Sequence, residues 1–334
     1  VPARDDAPAA RLSEFGRIAE FFAPLAASMP GAAGLTDDVA TLTVPAGRTL
    51  VAKTDTIVDT VHLIGDEPAD LVAQKALRVN LSDLAAKGAE PLGYLLSLSL
   101  PASIDDAWVA LFARGLARDQ REFGLGLLGG DSDRTTGPFV VTVAMLGTVA
   151  SATIPRRGDA RAGDDVYVSG TIGDGALGLL ALRGRLSGLP PQALGHLIDR
   201  YRLPQPRLQA GQALAGIVHA AMDISDGLVG DLGHIGAHSG LGATLQWEAV
   251  PLSPAARQAV TGDPALRETV LGGGDDYELL FTAAPDAAPR IQAVARAVGL
   301  PLTRIGTMQA GAGIRVLDAQ GSDVTPTVAG YRHV

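Results

Sequence analysis

Apolar residues recur along this chain with two spacings, and the switch between them sets out the elements. From Ala69 the spacing is helical. At 100° per residue Val72, Ala76, Val79 and Asp83 fall on one line, and Leu77, Leu81, Leu84 and Gly88 on a second that is wholly apolar. Gln74, Lys75, Arg78 and Ser82 read as the solvent face. Asp83, with Asn80 beside it, is thereby placed on the apolar side, where a carboxylate needs a cation or several donors. Pairing with Lys87 or with backbone donors would serve, and so would a metal ion; this stretch alone weighs the two equally.

The remaining segments follow in order. Ser13 reads as the N-cap of a short helix through Phe22, stopped by Pro24. Strands are predicted at Val39 to Val44 and Thr49 to Thr56 around the Pro45-Ala46-Gly47 turn, then at Tyr94 to Leu100. Asp105 to Phe123 is an amphipathic helix with Trp108, Phe112 and Leu116 four residues apart. Leu125 to Leu128 is strand-like and opens an acidic loop, Gly129 to Arg134, before a strand at Phe139 to Val149. After the polar stretch Arg156 to Asp164 come a strand at Asp165 to Ser169, helices on both sides of Leu203-Pro204-Gln205-Pro206-Arg207, and an apolar run ending in Met222-Asp223-Ile224-Ser225-Asp226-Gly227. A helix through His238, strands at Ala243 to Trp247 and Glu278 to Thr282, a helix at Ala287 to Val298 and two last strands, Leu302 to Met308 and Gly313 to Leu317, complete the pattern. Strands and helices alternate in both halves, so the class is α/β or α+β. A chain of 334 residues divides by default in two, here a tail over 1–12 and domains over 13–152 and 153–334.

Composition narrows the function. The net charge of -9 without a basic block argues against nucleic acid or an anionic membrane as partner. The absence of cysteine excludes disulfides, thiolate catalysis and Cys-ligated metals. No apolar run approaches a membrane span, and Val1 to Ala10 lacks the features of a signal peptide, so a cytoplasmic protein is expected. There is no P-loop and no G-x-S-x-G. Gly124 to Gly129 matches G-x-G-x-x-G, but it follows a helix instead of a strand, which does not suit a dinucleotide fold.

What remains is a series of aspartates at strand ends and glycine turns: Asp37 and Asp38, Asp55, Asp83, Asp131 and Asp133, Asp223 and Asp226, Asp275 and Asp276. Singly each reads as an Asx-turn or a helix cap. As a set of hard oxygen ligands they suit Mg2+ or Ca2+, and the neighbouring glycines let backbone N–H groups approach phosphate. Several Mg2+ ions with Gly-rich loops suit a polyphosphate.

Across these stretches the chain resembles the thiamine-monophosphate kinases, within the superfamily of aminoimidazole-ribonucleotide synthetase and selenophosphate synthetase. The matching residues are Ser13-Glu14-Phe15, Asp37-Asp38, Thr54-Asp55-Thr56, His62, Lys75-Ala76 through Asn80-Leu81-Ser82-Asp83 to Ala89, Gly129-Gly130-Asp131, Asp223 to Leu228, Asp231 to Ile235, Asp276-Tyr277-Glu278-Leu279 and Gly330-Tyr331. The resemblance implies a two-domain fold of the aminoimidazole-ribonucleotide synthetase kind, with an N-terminal mixed sheet pairing across a homodimer and a C-terminal α/β domain. It implies ATP-dependent phosphorylation of thiamine monophosphate to thiamine diphosphate, without a covalent nucleophile. By the same resemblance Asp38, Thr54, Asp55, Asp83, Asp131, Asp223 and Asp226 would hold several Mg2+ ions. Gly130, Asp131, Arg157 and Ser225 would contact ATP, and His62, Asp275 and Tyr331 would contact thiamine monophosphate.

The chain departs from that family's pattern at Thr36, Lys53, Asp275 and the longer stretch 131–138. In a strand, Val51, Lys53 and Asp55 share one face and Thr54 and Thr56 the other. The Lys53 ammonium is then directed either toward the metal cluster with Asp55, or to solvent as an edge-strand lysine. Asp37 has no fixed role. Two other readings stay open: another ATP-dependent synthetase of the superfamily, which typically carries Asp-Gly-Val-Gly-Thr-Lys where this chain has Lys53-Thr54-Asp55-Thr56, and a non-catalytic nucleotide-binding homologue, which would be expected to have lost aspartates.

Overall fold

The computed structural model describes residues 12–64 and 67–330. The tail through residue 11 and Tyr331, both named above, lie outside the described residues. The chain forms two compact units. The first takes the residues through Thr43, Thr56–Ala76 and Gly93–Ala144, and the second takes Val44–Asp55, Leu77–Leu92 and Met145–Val334.

Strands β1 (Arg48–Val58), β2 (Glu90–Pro101), β3 (Gly126–Thr135) and β4 (Val140–Ala150) form a four-stranded sheet in the order β1-β4-β2-β3. The stretch expected to be an acidic loop is strand: β3 runs on through Gly129 to Arg134, parallel to β2, with Leu96 opposite Gly130 and Ser97 opposite Asp131. Partner carbonyls and amides on β2 satisfy a backbone that the Gly/Asp composition alone would leave to solvent. In the same unit Ser13 Oγ accepts from the Gly16 amide at 3.1 Å and caps α1 (Glu14–Arg17). The expected single helix through Phe22 changes instead to a π turn at Ile18–Phe22 and a 3-10 turn at Ala23–Ala26, where Pro24 offers no N–H. No strand forms over 39–44, where Val39 is exposed. Helix α3 (Asp106–Phe123) keeps its expected limits, because Asp105 caps Trp108 and Gly124 adopts a left-handed φ of 70°. Its Trp108 and Phe112 rings stack at 5.3 Å, and Phe139 meets Trp108 edge-on at 4.9 Å.

Helix α2 (Ala69–Ala86) departs most from expectation. Gln74, Lys75, Arg78 and Ser82, read above as solvent-facing, are buried. Within the first unit Gln74 donates to Asp119 at 2.7 Å and accepts from Arg118 at 3.2 Å. Within the second, Arg78 donates to the Pro204 carbonyl at 3.1 Å. The polar groups of Gln74 and Arg78 are thus satisfied by partners distant in sequence.

The second unit is built on a six-stranded sheet, order β10-β7-β9-β5-β8-β6, from β5 (Asp165–Ser169), β6 (Ala220–Asp223), β7 (Leu241–Gln246), β8 (Leu279–Ala283), β9 (Leu302–Ala310) and β10 (Ile314–Leu317). Only β10 and β7 pair in parallel; the other neighbours are antiparallel. Helices α4 (Asp174–Leu182), α5 (Pro191–Arg202), α6 (Leu208–Leu214), α7 (Leu228–Ser239), α8 (Pro254–Gly262), α9 (Leu266–Gly272) and α10 (Ala288–Val298) complete it. Val166, Val168, Ile172, Leu177, Leu232, Ile235 and Leu280 form its core. The short helices α8 and α9 go beyond the sequence pattern, since Gly262 and Pro264 interrupt the apolar period around them, although Ser253 caps α8 through the Ala256 amide at 3.0 Å with Pro254 at its first position.

Candidate active site

Four segments of the second unit converge: the middle of β1, the last turns of α2, the end of β6 with the turn after it, and the Gly-rich run before β8. Along β1, Val51, Lys53 and Asp55 are half-buried while Leu50, Ala52, Thr54 and Thr56 are exposed, as a period of two requires. The Thr54 side chain therefore stands on the face opposite Asp55. The Lys53 Nζ lies 3.0 Å from an Asp83 carboxylate oxygen and 3.2 Å from one of Asp55. Its side chain is turned to the aspartates, not to solvent. Burial alone would lower the Lys53 pKa, but the Asp83 and Asp55 carboxylates together outweigh it and raise it. The Asp55 carboxyl is raised, mainly by burial and further by Asp83, with Lys53 opposing.

Asp223 closes β6 and is buried. Burial and the nearby Asp83 push its carboxyl up to about 8, against the pull of the Ser82 hydroxyl and Lys53. Lys87 does not neutralise Asp83, the pairing that sequence reasoning weighed. Its ammonium donates to the carbonyls of Ala221 at 2.6 Å and Pro155 at 3.2 Å. Burial and the positive charge of Arg157 push Lys87 down to about 8.

The turn after β6 is held by a single carboxylate. One oxygen of Asp231, in the first turn of α7, accepts from the amides of Ser225 at 3.0 Å, Asp226 at 3.0 Å and Gly227 at 3.1 Å. Burial pushes Asp231 up to about 7, with those donors opposing. The Gly-rich run lies directly against this turn: Asp275 donates its amide to the Ser225 carbonyl at 2.9 Å, and Tyr277 to the Ile224 carbonyl at 2.8 Å. A Cβ on Gly274 would stand 2.1 Å from the Ser225 oxygen, so only glycine permits this approach. Asp275 and Tyr277 take left-handed φ values of 68° and 51°, which are rare outside glycine and gather at functional sites. The Tyr277 phenol is raised well above its ordinary pKa by burial and by Asp275, Asp223, Asp55 and Asp83. From the sequence Lys87 reads only as a partner for Asp83 and Tyr277 has no role, although both lie inside the family-like stretches.

The other expected site residues belong to the first unit, except the exposed Arg157, which is in the second. Asp37 and Asp38 are exposed, and Asp37 accepts from the Asp38 amide at 2.7 Å. His62 Nδ1 accepts from the Val58 amide at 2.9 Å and closes the turn after β1. Gly130 and Asp131 are exposed on β3; a Cβ on Gly130 would stand 1.8 Å from the Leu96 oxygen.

Among the described residues no three His, Cys, Asp or Glu side chains form a ready metal-holding group. The donor set nevertheless fits a hard divalent cation. It is all oxygen, and its carboxylates outnumber the single ammonium that lies among them.

Comparison with known proteins places the whole chain. Residues 36–149 match the family described as AIR synthase related protein, N-terminal domain, and residues 161–319 its C-terminal domain. The thiamine-monophosphate kinase of Caulobacter vibrioides is 42% identical over 99% of this chain and 94% of its own length. The solved structure of the thiamine-monophosphate kinase from Stenotrophomonas maltophilia K279a superposes with a TM-score of 0.78 at 40% identity, covering 84% of this chain and 89% of the other. A structure described as AaThiL complexed with AMPPCP and TMP gives a TM-score of 0.75 at 30% identity, over 98% of this chain and 100% of that one.

Proposed function

Because the chain belongs to the thiamine-monophosphate kinase family, we infer that it transfers the γ-phosphoryl group of ATP to thiamine monophosphate, giving thiamine diphosphate and ADP. The observation that carries this reading is the gathering of Asp55, Asp83 and Asp223 around one ammonium, beside a turn whose amides are fixed by Asp231. Such a site neutralises and aligns phosphates; it offers no nucleophile of its own, and none is needed. The acceptor phosphate, with a second pKa of about 6, is largely ionised at neutral pH and attacks directly. The reaction then depends on holding two anions in line and offsetting the charge that builds between them.

We assign Mg2+ to Asp55, Asp83 and Asp223, with Asp226, Asp38, Thr54 and Asp131 as further ligands. Bound there, it would neutralise phosphate oxygens and stabilise the transferring group. For Thr54 the backbone is the donor that suits this reading, since its side chain lies on the opposite strand face. Gly130, Asp131, Arg157 and Ser225 are assigned to ATP, and His62, Asp275 and Tyr331 to thiamine monophosphate. The Arg157 guanidinium supplies charge to the triphosphate.

We also propose domains dividing near 152/153, in keeping with the two family matches, and a cytoplasmic homodimer paired through the N-terminal sheets. Leu50 on β1 and Leu95 on β2 are large apolar side chains left exposed on their strands, which suits a covered sheet face. Light scattering of the purified protein tests the dimer. For the activity, the protein is incubated with ATP, Mg2+ and thiamine monophosphate. Equal amounts of thiamine diphosphate and ADP are expected, and ADP without thiamine diphosphate would rule the reading out.

A further inference from the structure

Lys53 stands where a free cation would be most useful. Its Nζ is 3.0 Å from Asp83 and 3.2 Å from Asp55, and its side chain is about a third exposed. Asp55 and Asp83 come from different elements, a strand and a helix, so like charges meet there unless something positive separates them. Lys87, the other ammonium nearby, is committed to two carbonyl oxygens. The separation of Asp55 from Asp83 therefore falls to Lys53.

We propose that the Lys53 ammonium is a built-in cation of the active site, filling a position between Asp55 and Asp83 that a divalent ion would otherwise fill. The enzyme accordingly works with one fewer Mg2+ than its carboxylates could hold. The inference rests on the kinase reading, in which these carboxylates serve phosphate transfer through Mg2+. It adds a fixed positive charge that does not depend on the free Mg2+ concentration. A tethered ammonium carries half the charge of Mg2+ and cannot exchange, so part of the site is compensated before any ion binds. It also keeps Asp55 and Asp83 together in the metal-free protein, ready for the next cation.

The test counts ions. Wild type and Lys53→Ser are titrated with Mn2+ in the presence of AMPPCP, and unbound Mn2+ is read from its electron paramagnetic resonance signal. Lys53→Ser should bind one more Mn2+ per protomer than wild type. Its Mg2+ requirement for half-maximal rate should rise roughly tenfold, the effect of one half-buried charge pair, and should become steeper. The same count in both folded proteins overturns the proposal. Binding of no Mn2+ by wild type would instead sink the kinase reading beneath it. A second measurement needs no variant: amine-selective acylation of Lys53 in wild type, followed by mass spectrometry. Labelling that stays slow on saturation with Mn2+ and AMPPCP is the expected result. Labelling that accelerates would mean that metal expels the ammonium, and the proposal would fail.

Discussion

Glu278 and Asp223 are both carboxylates sealed within the second unit, yet their surroundings are built on different terms. Glu278, fully buried, receives Arg207 Nε at 2.7 Å, Arg200 at 3.0 Å and the Ser169 hydroxyl at 2.6 Å, and that hydroxyl in turn accepts from the Leu279 amide. Its charge is more than matched by the two guanidinium groups. Around Asp223 the balance is reversed. Lys53 stands between Asp55 and Asp83, Lys87 faces carbonyls, and Asp223 itself is pushed up to about 8 by burial and Asp83. A carboxylate completed by its own chain has a structural role. A group of carboxylates short of positive charge is completed only by a ligand, and this separates the proposed catalytic cluster from the scaffold.

The contrast can be broken by mutation, most sharply at Asp83. Asp83→Asn should lower kcat by about a thousandfold, as loss of a charge-placing group does, while the melting temperature changes little. Near-normal turnover would make Asp83 a structural carboxylate like Glu278. The reverse should hold for Glu278→Gln. It leaves two buried guanidinium groups without their counter-charge and should lower stability by about 3 kcal/mol in denaturant unfolding. Its kcat per folded molecule should stay close to wild type; a collapse of kcat at unchanged stability would merge the two regions.

His62 tests the proposed contact with thiamine monophosphate. If His62 contacts that substrate as proposed, His62→Ala should raise the KM for thiamine monophosphate several-fold and more than that for ATP. Equal effects on both substrates would place it outside the substrate site. A pH dependence of stability is expected from Asp276. Burial pushes this carboxyl up to about 8, against the amides of Gly173 and Gly175 that it accepts from at 2.7 and 3.0 Å. An unfolded aspartate ionises near pH ~4. Between those values the folded protein holds a proton that the unfolded chain releases, so the contribution is fully present at low pH and is lost as pH rises toward 8. Asp276→Asn should flatten that part of the stability profile, and an unchanged slope would show that another group carries it.

How much of this was legible in the sequence depended on how local the cause was. Helix α3 and strand β5 could be read because caps, aromatic spacing and an apolar run lie within each segment. The solvent face assigned to α2 could not, because the partners that bury Gln74 and Arg78 stand 45 and 126 residues away. Strand β3 was hidden for the same reason: only its pairing with β2 makes strand of a Gly/Asp run. The strand period gave the face of Lys53, but its two alternatives needed Asp83 in three dimensions. Tyr277 left no periodic signal at all, since its placement depends on a left-handed backbone.

The carboxylates around Asp223 are expected to take up a divalent cation, and Glu278, paired with Arg200 and Arg207, is not. Thermal unfolding with and without Mg2+ tests this most directly, in wild type, Asp223→Asn and Glu278→Gln. Mg2+ should raise the melting temperature of wild type and of Glu278→Gln by the same amount and leave that of Asp223→Asn almost unmoved. An equal Mg2+ response in Asp223→Asn, or none in wild type, would contradict the account.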